Sequence, residues 1–208
     1  MNYKGNPFGR IVMIHGIRGE NPEKHIGRLA PEFRRQGFSV IIPNYGSFNL
    51  FSLFVSAYVD TKVSSAILPF LQEDDILLGH SNGATLVYML TQKIRVRGAI
   101  LVNAALDADK LPNADFIHIY FNHGDMVSSL SALMPFTPWG AMGSVGYTGP
   151  VNHTVMNIDC GDPPYDLPQL DGHSALFEAG NTAPWARFMS ALAIAEINHT
   201  YGSDRILQ

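Results

Sequence analysis

Charge is scarce in this sequence. Asp, Glu, Lys and Arg make up 15% of 208 residues, and the formal net charge is −4. No basic stripe or Lys/Arg cluster is present, which argues against a nucleic-acid partner. Cysteine is all but missing: Cys160 stands alone, so an internal disulfide framework is excluded. With no histidine close to it in sequence, Cys160 is expected to be a small buried residue rather than a nucleophile. Long apolar runs are missing too. The first, within "MNYKGNPFGRIVMIHG", spans about six residues and ends in a histidine, unlike a signal peptide. Nothing approaches the ~18 to 20 apolar residues of a membrane span. The expectation is a cytoplasmic protein with no integral membrane segment.

What is present is a well-ordered alternation. The 46% hydrophobic content suits one globular domain over residues 1–208. "RIVMIHG" (10–16) is short, apolar and β-branched, as in a parallel strand buried on both faces. A helix is expected next, capped by Asn21, with Pro22 first and Glu23 at the positive end of its dipole. Ile26, Leu29, Ala30 and Phe33 follow at helical spacing, and Gly37 closes it. Further strands are expected at 38–43, 75–81, 98–105, 116–122 and 153–159, and helices at 52–71, 82–93 and from about Thr182 onward. This pattern predicts an α/β fold: about six mostly parallel strands flanked by helices. Residues 129–149, rich in Met, Pro, Gly and aromatics, are too broken for one regular helix. In open parallel sheets, ligands bind beyond the carboxyl ends of the strands, so chemistry is sought there.

The third strand delivers "GHSNG" (79–83). G-x-S-x-G between a strand and a helix is the pattern of a sharp turn that exposes a serine. Side chains at Gly79 and Gly83 would collide with neighbouring backbone, and Ser81 would sit at a helix N-terminus, where negative charge is favoured. A serine hydroxyl needs a base, and the chain has 8 histidines. His80 adjoins the serine, but neighbouring side chains across a sharp turn usually point apart. His15 is expected to shape its loop, His118 to be a packed or surface residue of a strand, and His123 and His153 to lie in turns. His25 and His199 read as solvated helix residues. His173, in "QLDGHSALF" after the last strand, suits the order nucleophile, acid, base. Asp125 follows the penultimate strand and is the preferred acid; Asp107 and Asp109, one strand earlier, compete with it. The loop "IHGIRGE" leaves the Ile17 N–H as one oxyanion donor, and Asn82 supplies the other.

Taken together, "HGIRG" (15–19), "GHSNGA" (79–84), "HGDMV" (123–127) and "DGHSALF" (171–177) resemble the α/β-hydrolases, most closely the small cap-less bacterial lipases and esterases. The resemblance spans nearly the whole chain. It implies a triad of Ser81, Asp125 and His173, with Ile17 and Asn82 as oxyanion donors, no large cap domain and no metal or cofactor. The sequence departs from that family at Asn82, where many lipases carry Met, Leu or Gln, and at Ala84 in place of a third glycine. Residues 129–149 have no clear counterpart. Within them Met134, Phe136 and Trp139 are candidates for the wall of an acyl pocket, with packing on the sheet as the alternative.

The expected function is a serine ester hydrolase for short-to-medium acyl esters of small molecules. Thioester hydrolysis, amide hydrolysis or acyl transfer on the same residues is a rival, because one acyl-enzyme serves all of them. A non-catalytic binding module is a second rival, which usually loses a triad residue; none is missing here.

Overall fold

A computed structural model of the chain describes residues 7–16, 22–45, 56–131 and 139–202. Six strands form one sheet: β1 (Arg10–Ile14), β2 (Ser39–Ile41), β3 (Ile76–His80), β4 (Val96–Val102), β5 (Ala114–Phe121) and β6 (Val155–Asp159). Their order is β2-β1-β3-β4-β5-β6, and every neighbouring pair is parallel. Side chains alternate across a pleat, and in the central strands β1, β3, β4 and β5 both faces are buried. Ile11, Met13, Ile76, Leu78, Ile100 and Val102 pack into one core layer, while Val12, Ile14, Leu77, Ala99 and Leu101 pack into the other. Continuous apolar runs are the consequence, and they made these strands readable in the sequence.

Helices α1 (Ala30–Arg35) and α6 (Thr182–Gly202) cover the first face through Phe33, Trp185 and Met189. The second is covered by α2 (Ser56–Ile67) and α3 (Asn82–Thr91), through Val63, Ile67, Leu86, Val87 and Leu90. Two shorter helices, α4 (Met126–Ser131) and α5 (Met142–Val145), lie between β5 and β6; α4 runs into the segment 129–149 read as too broken for one helix, and α5 lies within it. Among the described residues no helix is long and apolar enough to cross a membrane.

The helix expected from Asn21 to Gly37 is not continuous. Asn21 lies outside the described residues, and two 3-10 turns, Pro22–Lys24 and Ile26–Leu29, precede the short α1. Pro31 supplies the reason: it has no N–H for an i→i−4 bond, and it stands in the first turn of α1, where none is needed. The periodic apolar residues still reach the core, since Ile26, Leu29, Ala30 and Phe33 are fully buried.

Residues 103–113, between β4 and β5, contain neither helix nor strand, so no cap is inserted there. Far from that edge, Arg10 grips Asp75 through two nitrogens at 2.6 Å each, tying the start of β1 to the start of β3. The carboxyl edge of the sheet carries the polar residues.

Candidate active site

Ser81 follows β3 with φ 57° and ψ −127°, a region that is essentially glycine territory. Hydrogen bonds hold it there from both sides. Its N–H donates to Val102 (3.0 Å), and its carbonyl accepts from Ala84 (3.0 Å) and Ala105 (3.2 Å). The turn closes only because its neighbours lack side chains. A Cβ on Gly83 would stand 2.2 Å from the Ile14 carbonyl oxygen, one on Gly79 2.6 Å from the Gly83 oxygen, and one on Gly16 2.8 Å from the Ser81 Cβ. The loop after β1 therefore runs directly against the serine. Serine at a helix N-terminus ordinarily caps it, but Ser81 makes no side-chain cap bond to α3. Its hydroxyl is left for other partners. Asn82 opens α3, so its N–H has no acceptor within the helix.

Across the sheet, His173 Nδ1 lies 3.0 and 2.9 Å from the two oxygens of Asp125. A carboxylate only accepts, so Nδ1 bears the hydrogen, and in the neutral ring the lone pair falls on Nε2. Asp125 is fully buried yet well satisfied. It also accepts from Asn103 Nδ2 (3.0 Å), from the Ser128 N–H (3.0 Å) and from Ser128 Oγ (2.6 Å). Burial pushes its pKa up, but the bond and charge of His173 and the two bonds from Ser128 outweigh it and hold the pKa down at about 2. Because Ser128 is the third residue of α4, Asp125 is also the N-cap of that helix. The backbone carrying His173 is clamped as well. Gly172 has φ +97°; its N–H donates to Asn122 Oδ1 (3.2 Å), and its carbonyl accepts from Asn122 Nδ2 (3.3 Å).

Three of these supporting residues escaped the sequence reading. Asn103 follows β4 with φ 45°, a conformation in which Asn is enriched, so "VNAA" carried a readable hint. Ser128, three residues after Asp125, is a capping spacing. Asn122 carried no signal. His80 makes a contact that the sequence reading did not foresee: His80 Nε2 lies 2.9 Å from the carbonyl oxygen of His173. Asp107, the rival acid, is instead paired with Lys110 near the surface. His118 is buried on β5 with Glu196 3.5 Å away, and His123 is exposed. Cys160 is buried, and burial pushes its thiol well above the usual range.

On the other flank of the serine a second polar chain is buried. Asn82 Nδ2 donates to Asp60 Oδ1 on α2 at 2.8 Å, and the indole N–H of Trp139 donates to Asn82 Oδ1 at 2.5 Å. Burial raises the Asp60 pKa to about 6, despite the bond from Asn82. Its Oδ2 has no hydrogen-bond partner among the described residues. Nearby, the Tyr45 ring stacks on His15 at 3.9 Å and its hydroxyl donates to the His15 carbonyl. Of the expected pocket residues, Trp139 is buried against Asn82. Met134 and Phe136 lie outside the described residues, as does the expected oxyanion donor Ile17.

No protein-family model matches the sequence, and no curated protein sequence does. Solved structures do resemble it in shape. A monoacylglycerol lipase from Paleococcus ferrophilus is 13% identical, with a TM-score of 0.58, over 92% of this chain and 96% of its own. The esterase domain of a Rhodothermus marinus protein is 12% identical, with a TM-score of 0.54, over 93% and 89%. A Xanthomonas campestris α/β serine hydrolase described as lacking a lid is 9% identical, with a TM-score of 0.56, over 93% and 83%. The fold of this chain is the α/β-hydrolase fold.

Proposed function

We propose that the protein is a serine ester hydrolase acting on short-to-medium acyl esters of small molecules. One observation carries the reading. His173 donates an Nδ1–H hydrogen bond to a buried, four-times-bonded carboxylate, and the elbow presents a serine whose hydroxyl makes no cap bond. Ser81 attacks the ester carbonyl while His173 Nε2 accepts the hydroxyl proton. Asp125 holds the ring and stabilises its charged form. The N–H groups of Asn82 and Ile17 receive the oxyanion. The proton then passes to the departing alcohol, and water repeats the cycle on the acyl-serine. No metal or cofactor enters this scheme. The esterase and lipase among the similar structures favour esters over amides.

The test is covalent labelling with a fluorophosphonate probe, alongside hydrolysis of p-nitrophenyl esters of graded chain length. Wild type is expected to label and turn over, and Ser81→Ala to do neither while staying folded. A labelled Ser81→Ala protein would end the assignment. Thioester and amide analogues in the same panel separate the competing acyl-transfer reactions.

A further inference from the structure

We infer that His80 is a positioning residue for the base, tying the loop of His173 to the strand end that carries the nucleophile. This rests on the functional reading above. His80 is the last residue of β3, and Ser81 is the next residue. The acceptor of its bond is the His173 backbone carbonyl, at 2.9 Å, and a carbonyl oxygen only accepts. Nε2 of His80 therefore bears the hydrogen. Consecutive residues thus hold the nucleophile and the base.

The bond is well placed to matter. The ring of His80 is nearly buried, at 8% exposure. It meets Phe177 edge-on at 4.8 Å and lies 4.9 Å from the His173 ring, so it has a single seat. Burial, and the proximity of His173, lower its pKa to about 3. The ring stays neutral while His173 cycles between its two states, and it does not compete for the serine proton. Asn122 already fixes the residue before His173, and Asp125 fixes the ring. The carbonyl of His173 itself is held from β3 alone among the described residues, so His80 sets how far the base stands from Ser81. Catalysis is steep in that quantity: a displacement of about 1 Å costs on the order of 10²-fold.

The experiment compares His80→Gln, His80→Asn and His80→Leu by steady-state kinetics on a p-nitrophenyl ester and by fluorophosphonate labelling rate. The glutamine amide nitrogen reaches the place of Nε2, the asparagine amide falls short, and leucine fills space without a donor. Glutamine is expected to retain most of the activity. Asparagine and leucine should lower kcat and the labelling rate by about 10- to 100-fold with KM nearly unchanged. Should the leucine protein fail to fold, glutamine against asparagine decides. Equal losses for all three, wild-type rates for asparagine or leucine, or a change confined to KM would overturn the role. If wild type itself is not labelled, the hydrolase reading falls and this role with it. If wild type labels and His80 variants match it, only the role falls.

Discussion

Trp139 donates its indole N–H to the side-chain carbonyl of Asn82 at 2.5 Å, joining the segment beyond α4 to the residue that follows Ser81. Asn82 is held from the opposite side by Asp60, so its amide is fixed at both ends. Asn82 is 2% exposed and Trp139 7%, and a bond buried to that degree is costly to leave half made.

Trp139→Phe keeps most of the buried surface and removes only the donor. We expect it to destabilise the fold by about 1 to 3 kcal/mol and to lower kcat for all acyl chain lengths alike. Truncation to Ala should cost about 3 to 5 kcal/mol. Urea titrations with the graded ester panel check both. A shifted chain-length preference at unchanged stability would mean that Trp139 walls the acyl pocket.

Asp125→Asn should be far more damaging than Asp107→Asn. Removing the orienting carboxylate leaves the imidazole in the wrong tautomer, worth on the order of 10⁴ in rate. Asp107 faces Lys110 near the surface, and exposed pairs are worth roughly 0 to 1 kcal/mol, so Asp107→Asn should retain near-wild-type kcat. The comparison is a single set of initial rates, and a crippled Asp107→Asn protein would move the acid one strand back.

The strands and the elbow were readable because both rest on local sequence. Continuous apolar runs mark strands buried on two faces, and Gly79 and Gly83 mark a turn with no room for Cβ. The polar supports were not readable, because sheet order decides them. Register aligns His80 with Val102 and Val102 with Tyr120, so Ser81, Asn103 and Asn122 emerge at one edge from segments far apart in sequence. The contact of His80 was not readable either, because its partner comes from a loop 93 residues away. The helix at 21–37 failed on Pro31, whose effect on the earlier turns outweighed the apolar period.

Stability should depend on pH through two carboxylates of opposite sense. Asp125, with its pKa lowered to about 2 from 3.8, stabilises the fold above about pH 4, and that contribution is lost as pH falls towards 2. Asp60, raised to about 6 from 3.8, behaves the other way. It is neutral in both states at pH 3; between about pH 4 and 6 the unfolded chain ionises while the folded one resists. Stability is lost across that interval, by about 3 kcal/mol at 1.36 kcal/mol per pH unit. Asp60→Asn imitates the neutral carboxyl. Its stability relative to wild type is therefore expected to rise from pH 4 to pH 7 and then level off. Chemical denaturation at four or five pH values measures the difference, from which titrations common to both proteins cancel. A flat difference would mean that Asp60 ionises as easily folded as unfolded.

The elbow itself should be under measurable strain. Ser81 holds φ 57° and ψ −127°, and a residue with a Cβ in such a region costs of order 1 to 3 kcal/mol. Ser81→Ala removes the hydroxyl but keeps the Cβ, so the strain persists. Ser81→Gly removes both. Glycine also gains freedom in the unfolded chain, which subtracts about 0.5 to 1 kcal/mol. The balance still favours glycine, and Ser81→Gly should be about 1 kcal/mol more stable than Ser81→Ala, although neither has a nucleophile. Almost anywhere else in a folded chain the same pair would rank the other way, because glycine is normally the less stable choice. Paired urea titrations of the two variants give the sign directly. Alanine equal to or above glycine would mean that the bonds from Val102, Ala84 and Ala105 hold an unstrained turn, and that the glycines around it serve packing alone.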